Sequence, residues 1–133
     1  MRRASVLRPL LALGLVTAGL LGILGTAPAG AGGRNGIVVV QVQGLLDPPT
    51  ATLVRDAVRS AEDAKRTMVV LQIDSRGAVD TDVATLVQTI VGSKIPVVAW
   101  AGPSGGGAEG AATLLFEAAD RAFVAEGATV GPA

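Results

Sequence analysis

Two short segments carry the residue types that could do chemistry. The first is Asp74-Ser75-Arg76-Gly77-Ala78. The second runs from Gly102 to Gly110 and includes Ser104, Gly105, Gly107 and Glu109. The chain has no histidine and no cysteine. That excludes a Ser-His-Asp triad, thiol chemistry, disulfides and most zinc sites. Hydrolysis would have to draw on lysine, carboxylates or backbone groups. The only lysines are Lys65 and Lys94, at a helix end and in a turn, and both read as solvated surface charges. Ser104 reads as a loop hydroxyl in a glycine-rich stretch. Asp74, at the end of a strand-like run, reads equally as a site residue or a turn cap. Trp100, the single tryptophan, reads as core. The composition and these residues imply no metal and no cofactor.

A second chemistry shares the same glycines. Gly105-x-Gly107-x-x-Gly110 matches the dinucleotide fingerprint, and Glu126 lies 21 residues beyond Gly105, near the spacing of a ribose-binding acid. Against it, Pro103 and Ser104 stand between the strand and the first glycine, where the turn should be tight. The reading stays open as an alternative.

Both segments need elements to hold them. Ile37-Val38-Val39-Val40-Gln41-Val42 and Met68-Val69-Val70-Leu71-Gln72-Ile73 are β-branched or apolar runs and read as strands. Ile95 to Trp100 reads as a third strand and Ala122 to Ala125 as a fourth. Between them, Asp47-Pro48-Pro49 opens a helix with Leu53, Val54, Ala57, Val58 and Ala61 inward. Asp80-Thr81-Asp82 caps a helix with Val83, Leu86, Val87, Ile90 and Val91 inward, ending near Gly92. Gly110 to Ala119 reads as a short alanine-rich helix. The order β-α-β-α-β-α-β predicts an α/β domain with a mostly parallel sheet covered on both faces. Ligands of such sheets bind beyond the carboxyl ends of the strands, where both segments lie.

The N-terminus has a different character. Arg2, Arg3 and Arg8 precede an apolar run from Leu10 to Leu24, and Ala29-Gly30-Ala31 fits a cleavage site. The run is shorter than the ~20 residues of a spanning helix. Residues 1–31 are expected to be a secretory signal, or an anchor through residues 10–24 if uncleaved. Residues 32–36 form a tether and 37–133 the domain, which is extracytoplasmic or in the cell envelope. Without residues 1–31 the net charge is −3. This gives no electrostatic case for nucleic acid.

The two segments also carry a family likeness. The chain resembles the N-terminal domain of NfeD-type membrane-bound serine proteases, which have the ClpP/crotonase fold and are similar to signal peptide peptidase A. The family's D-T-P-G-G is matched by Asp74-Ser75-Arg76-Gly77-Ala78. Its I-P-V-V is matched by Ile95-Pro96-Val97-Val98. Its P-x-G-A-x-A-A-S-A-G-T is matched by Pro103 through Thr113. Its A-A-D and A-P-G-T-x-I-G are matched by Ala118-Ala119-Asp120 and Ala125 through Gly131. The resemblance implies a Ser-Lys endopeptidase with a backbone oxyanion hole. The serine falls at Gly110, which has no hydroxyl. The lysine falls beyond Ala133, so the domain is expected to be incomplete at its C-terminus, and a fragment of a longer membrane-bound peptidase is an alternative. The oxyanion donors map to the N–H groups of Gly77 or Ala78 and of Ala111. Asp74, Ser104 and Glu109 would line the site, with Glu109 bringing a negative charge next to it. The resemblance therefore implies an inactive protease-like domain that binds a peptide or membrane-protein segment, or assembles as a homo-oligomer.

Overall fold

The computed structural model describes residues 36–132. The expected signal, residues 1–31, and most of the tether lie outside them. The first strand, β1 (Ile37–Leu46), runs into Asp47, whose carboxylate accepts the Thr50 N–H at 2.9 Å and caps α1 (Pro48–Asp63). Two prolines fill the first turn, where a missing N–H costs nothing. β2 (Met68–Ala78) follows. Asp82 then accepts the Thr85 N–H at 3.1 Å and its hydroxyl at 2.6 Å, opening α2 (Val83–Val91). β3 (Val97–Ala101) leads to β4 (Gly107–Ala108), α3 (Ala111–Ala118), β5 (Arg121–Val124) and β6 (Thr129–Val130). Asp120 joins β3 to β5: its carboxylate accepts the Val97 N–H at 2.8 Å and its own N–H bonds the Val97 carbonyl at 2.9 Å.

All strand pairs are parallel. β2 is the centre. β1 pairs along one edge of it. β3 pairs along the other edge from Val69 to Ile73, and β4 takes over at Ser75. β5 lies outside β3, and β6 outside β4. The α/β class and parallel sheet agree with the sequence. The order gains the two short strands β4 and β6, and the third strand starts at Val97 rather than Ile95. Two-residue strands made of Gly-Ala and Thr-Val carry no run long enough to register as a strand.

The sheet has two unlike faces. Val40, Val42, Leu71, Ile73, Val97, Ala99 and Ala101 share one face and are buried. Ala51, Val54, Val58 and Ala61 of α1, Leu86 and Ile90 of α2, and Ala112 and Leu115 of α3 pack into the same core. On the other face Ile37 is 58% exposed, Val39 59% and Phe123 56%. The expectation that helices cover both faces is therefore corrected: among the described residues all three helices pack on one. A second correction concerns α1, where Leu53 is exposed. The buried stripe belongs to Ala51, Val54, Val58 and Ala61, and Leu53 stands ~100° away from Val54 around the helix. Val91 of α2 is likewise exposed rather than inward.

Candidate functional site

The site forms where β2 ends and α3 begins. β2 does not stop at Asp74 but continues through Ala78, so Gly77 and Ala78 belong to its last turn of pleat. Asp74 is half-buried, and its Oδ1 accepts the Gly107 N–H at 3.2 Å. This draws the glycine loop onto β2. The approach is close: a Cβ on Gly106 would lie 2.6 Å from Asp74 Oδ1, and one on Gly107 would collide with the Thr129 carbonyl oxygen. At Gly107 the neighbour is backbone and only glycine fits, whereas at Gly106 the Asp74 side chain would have to move. Buried Ser75 donates its hydroxyl to the Gly77 carbonyl at 3.2 Å, and its own carbonyl accepts the Glu109 N–H at 2.9 Å.

Gly110 is the N-cap of α3, with φ +54° and ψ −133°. An L side chain is strained in that backbone, and glycine is not. A Cβ there would lie 3.2 Å from the Arg76 carbonyl oxygen and 3.4 Å from Gly77 Cα. The position thus faces the Arg76–Gly77 peptide across a gap of one contact. The Gly110 N–H is held by the Pro132 carbonyl at 2.8 Å, and the Gly131 N–H by the Ala108 carbonyl at 2.8 Å. Ala111 is the first residue of α3, so its N–H has no partner within the helix. Gly77 has φ +149°, a second backbone that favours glycine.

The other sequence candidates spread around this centre. Glu109 accepts the Thr129 hydroxyl at 3.0 Å. Asp74, Arg76, Gly105, Gly106, Gly107, Glu109 and Thr129 surround a polar cavity of about 20 Å³, room for one water. A wider recess of about 290 Å³ is lined by Gly44, Leu45, Asp74 and Arg76. Ser104 sits in the exposed tip of a turn closed by Gly106 N–H to the Pro103 carbonyl at 2.9 Å. Lys65 and Lys94 are exposed, near the opposite ends of the strands. Trp100 is half-buried on the face without helices, not in the core. Thr129 and Pro132 join the site although the residues alone did not single them out. The family's A-P-G-T-x-I-G match, which covers Thr129, was the available signal.

The dinucleotide reading does not fit this geometry. Gly105 lies in an exposed turn, Gly107 is buried in β4, and Gly110 comes after that strand. The three glycines do not make one tight turn from strand to helix, which the pyrophosphate requires.

No protein-family model matches the chain, and no curated protein matches it. Solved structures do. A lysine-to-alanine mutant of a membrane-bound stomatin-specific protease, in complex with a substrate peptide, is 25% identical, with a TM-score of 0.69 over 74% of this chain and 45% of that one. A serine-to-alanine mutant of that protease is 26% identical, with a TM-score of 0.69 over 73% of this chain and 47% of that one. A membrane protease specific for a stomatin homolog from Pyrococcus horikoshii is 26% identical, with a TM-score of 0.68 over 73% and 49%. The chain spans about half the length of the solved chains it matches. The parallel sheet, the glycine-rich turn and these likenesses agree with the family read from the sequence: residues 36–132 form an NfeD-like, protease-type α/β domain.

Proposed function

We propose that this protein is an exported, membrane-associated protease-like domain that binds an extended peptide or membrane-protein segment without cleaving it. The observation that carries this reading is Gly110. It stands at the strand-to-helix turn where the family places its serine, and it faces the Arg76–Gly77 peptide. Acyl transfer needs an oxygen nucleophile and a base to take its proton. Gly110 offers neither. The nearest sequence alternative, Ser104, lies in an exposed turn tip.

Binding asks less of the site. The N–H groups of Gly77 or Ala78 and of Ala111 would donate to a peptide carbonyl, as an oxyanion hole does to the developing charge. The Glu109 carboxylate opposes negative charge nearby. That weakens stabilisation of an oxyanion more than binding of a neutral carbonyl. Asp74 acts as a positioning residue that holds the glycine turn through the Gly107 N–H. The peptide complex of the stomatin-specific protease supports a peptide as ligand class. Residues 1–31 are read as the secretory signal, with membrane association through residues 10–24 if it is retained. Among the described residues no helix is long and apolar enough to cross a membrane.

The test uses protein recovered from the cell envelope and a fluorescent apolar peptide. Anisotropy should show saturable binding while mass spectrometry shows the peptide intact. Cleavage that follows the protein through purification and survives Ser104→Ala would overturn the inactive reading. Absence of saturable binding would overturn the peptide reading. A second reading, a portion of a longer membrane-bound serine peptidase, is favoured by the half-length match to the solved chains. The intact mass of the same material distinguishes the two.

A further inference from the structure

Arg76 is the charged group at the site that peptide binding at the turn leaves unused. Its carbonyl faces Gly110, and the residue also lines the recess of about 290 Å³ with Gly44, Leu45 and Asp74. Asp74 and Arg76 stand two apart on β2, with buried Ser75 between them. Both side chains therefore leave the same face of the sheet, ~7 Å apart along the strand. Arg76 is exposed and makes no hydrogen bond or ion pair among the described residues. Asp74 accepts the Gly107 N–H, and an ionised carboxylate can accept further hydrogen bonds. β1 supplies the opposite wall. Gly44 takes φ +74°, the register with β2 shifts between Gly44 and Leu46, and Leu45 is 54% exposed.

The recess thus sets an acceptor and a fork of donors side by side against an apolar wall, and its two charges cancel. A carboxylate ligand would pair with Arg76 but sit beside Asp74. It would also feel Glu109, which lines the small cavity that Asp74 and Arg76 share. An ammonium ligand would pair with Asp74 but meet Arg76. A primary carboxamide matches both groups: its N–H donates to Asp74, its oxygen accepts from Arg76, and it brings no charge. We infer that the recess is a side-chain subsite that selects a carboxamide residue, glutamine or asparagine, in the peptide held at the turn, with Arg76 as the specificity-determining residue. The inference rests on the peptide reading above. The methylene groups of a bound glutamine lie against Leu45. Proline, which the D-T-P-G-G motif carries where this chain has Arg76, offers neither a charge nor a donor, so the selectivity belongs to Arg76.

The experiment is fluorescence anisotropy on the protein recovered from the cell envelope. The probes are four fluorescent alanine-leucine peptides that differ only in a central glutamine, glutamate, lysine or methionine. Methionine matches the length of glutamine without its polar groups. The glutamine peptide should bind ~10-fold more tightly than each of the others, as expected of two net hydrogen bonds. Arg76→Met should bring the glutamine and methionine peptides to equal Kd, with an unchanged far-UV spectrum. Arg76→Glu should transfer the preference to the lysine peptide. Equal affinity for all four peptides overturns the subsite and leaves the peptide reading standing. So does a wild-type preference for glutamate, lysine or methionine, or a glutamine preference that survives Arg76→Met. Saturable binding of none of the four overturns the peptide reading, and the subsite with it.

Discussion

In the body of the sheet, contacts run through side chains: Val42, Leu71, Ile73 and Val97 are fully buried against α1, α2 and α3. Between Gly105 and Gly110 they run through the backbone. There Asp74 holds the Gly107 N–H, Thr129 lies against Gly107, and Pro132 holds the Gly110 N–H. The body tolerates changes of side chain that keep its volume. The turn depends on bare backbone at Gly107 and Gly110. A region of the first kind is specified by pattern, and one of the second kind by a few glycines whose reason is visible only in three dimensions.

Substitutions in the two regions sharpen this contrast. Gly107→Ala should have the largest effect, because the new Cβ would meet backbone rather than a side chain that can move away. A loss of ~3 kcal/mol or more is expected, beyond the ordinary range for overpacking, measured by urea unfolding. A loss below ~1 kcal/mol would mean that β4 and β6 separate freely. Leu71→Ala, at a fully buried position of the body, should cost about 3 kcal/mol. Gly110→Ser comes next. Its backbone has φ +54° and its Cβ would touch the Arg76 carbonyl at 3.2 Å, so ~1–2 kcal/mol should be lost while the fold persists. Replacing the glycine with serine supplies a hydroxyl but no base, so peptide hydrolysis should remain absent by mass spectrometry. Hydrolysis by this variant would show that a base is present.

The smallest effect concerns acid. Hydrogen bonding from Thr50, side chain first and then backbone N–H, holds the Asp47 carboxyl below its usual value of 3.8. Thr85 does the same for Asp82 in the same order. A lowered folded-state pKa adds stability that is fully present above the unfolded value and is lost as pH falls through the folded one. Asp82 is exposed and Asp47 only half-buried, so the change should be slight. Asp47→Asn should flatten the acid limb of the stability profile in denaturant melts and leave neutral pH almost unchanged.

Much of the body was legible in the sequence. The β-branched runs at Ile37 and Met68, and the caps Asp47 and Asp82, are where the structure has them. The exposed Leu53 was not, because hydrophobicity at helical spacing does not say which of two neighbouring stripes faces the core. The face without helices was not legible either: Val38 and Val39 are equally apolar, yet only one faces a helix layer. At the site, the family resemblance rather than residue type alone pointed to Gly77, Ala78, Glu109 and Gly110. The closeness of Gly107 to Thr129 stayed hidden, since β4 and β6 are too short to announce a pairing.

β2 changes partner at its midpoint, from β3 to β4. The sheet is therefore forked, with a four-strand trunk of β1, β2, β3 and β5 and a two-strand branch of β4 and β6. The core of the trunk is closed by the helices, and the branch bears the turn. Residues of the turn can thus vary while the trunk continues to fold. In such an architecture the turn and its site can change residue by residue while the trunk keeps its packing.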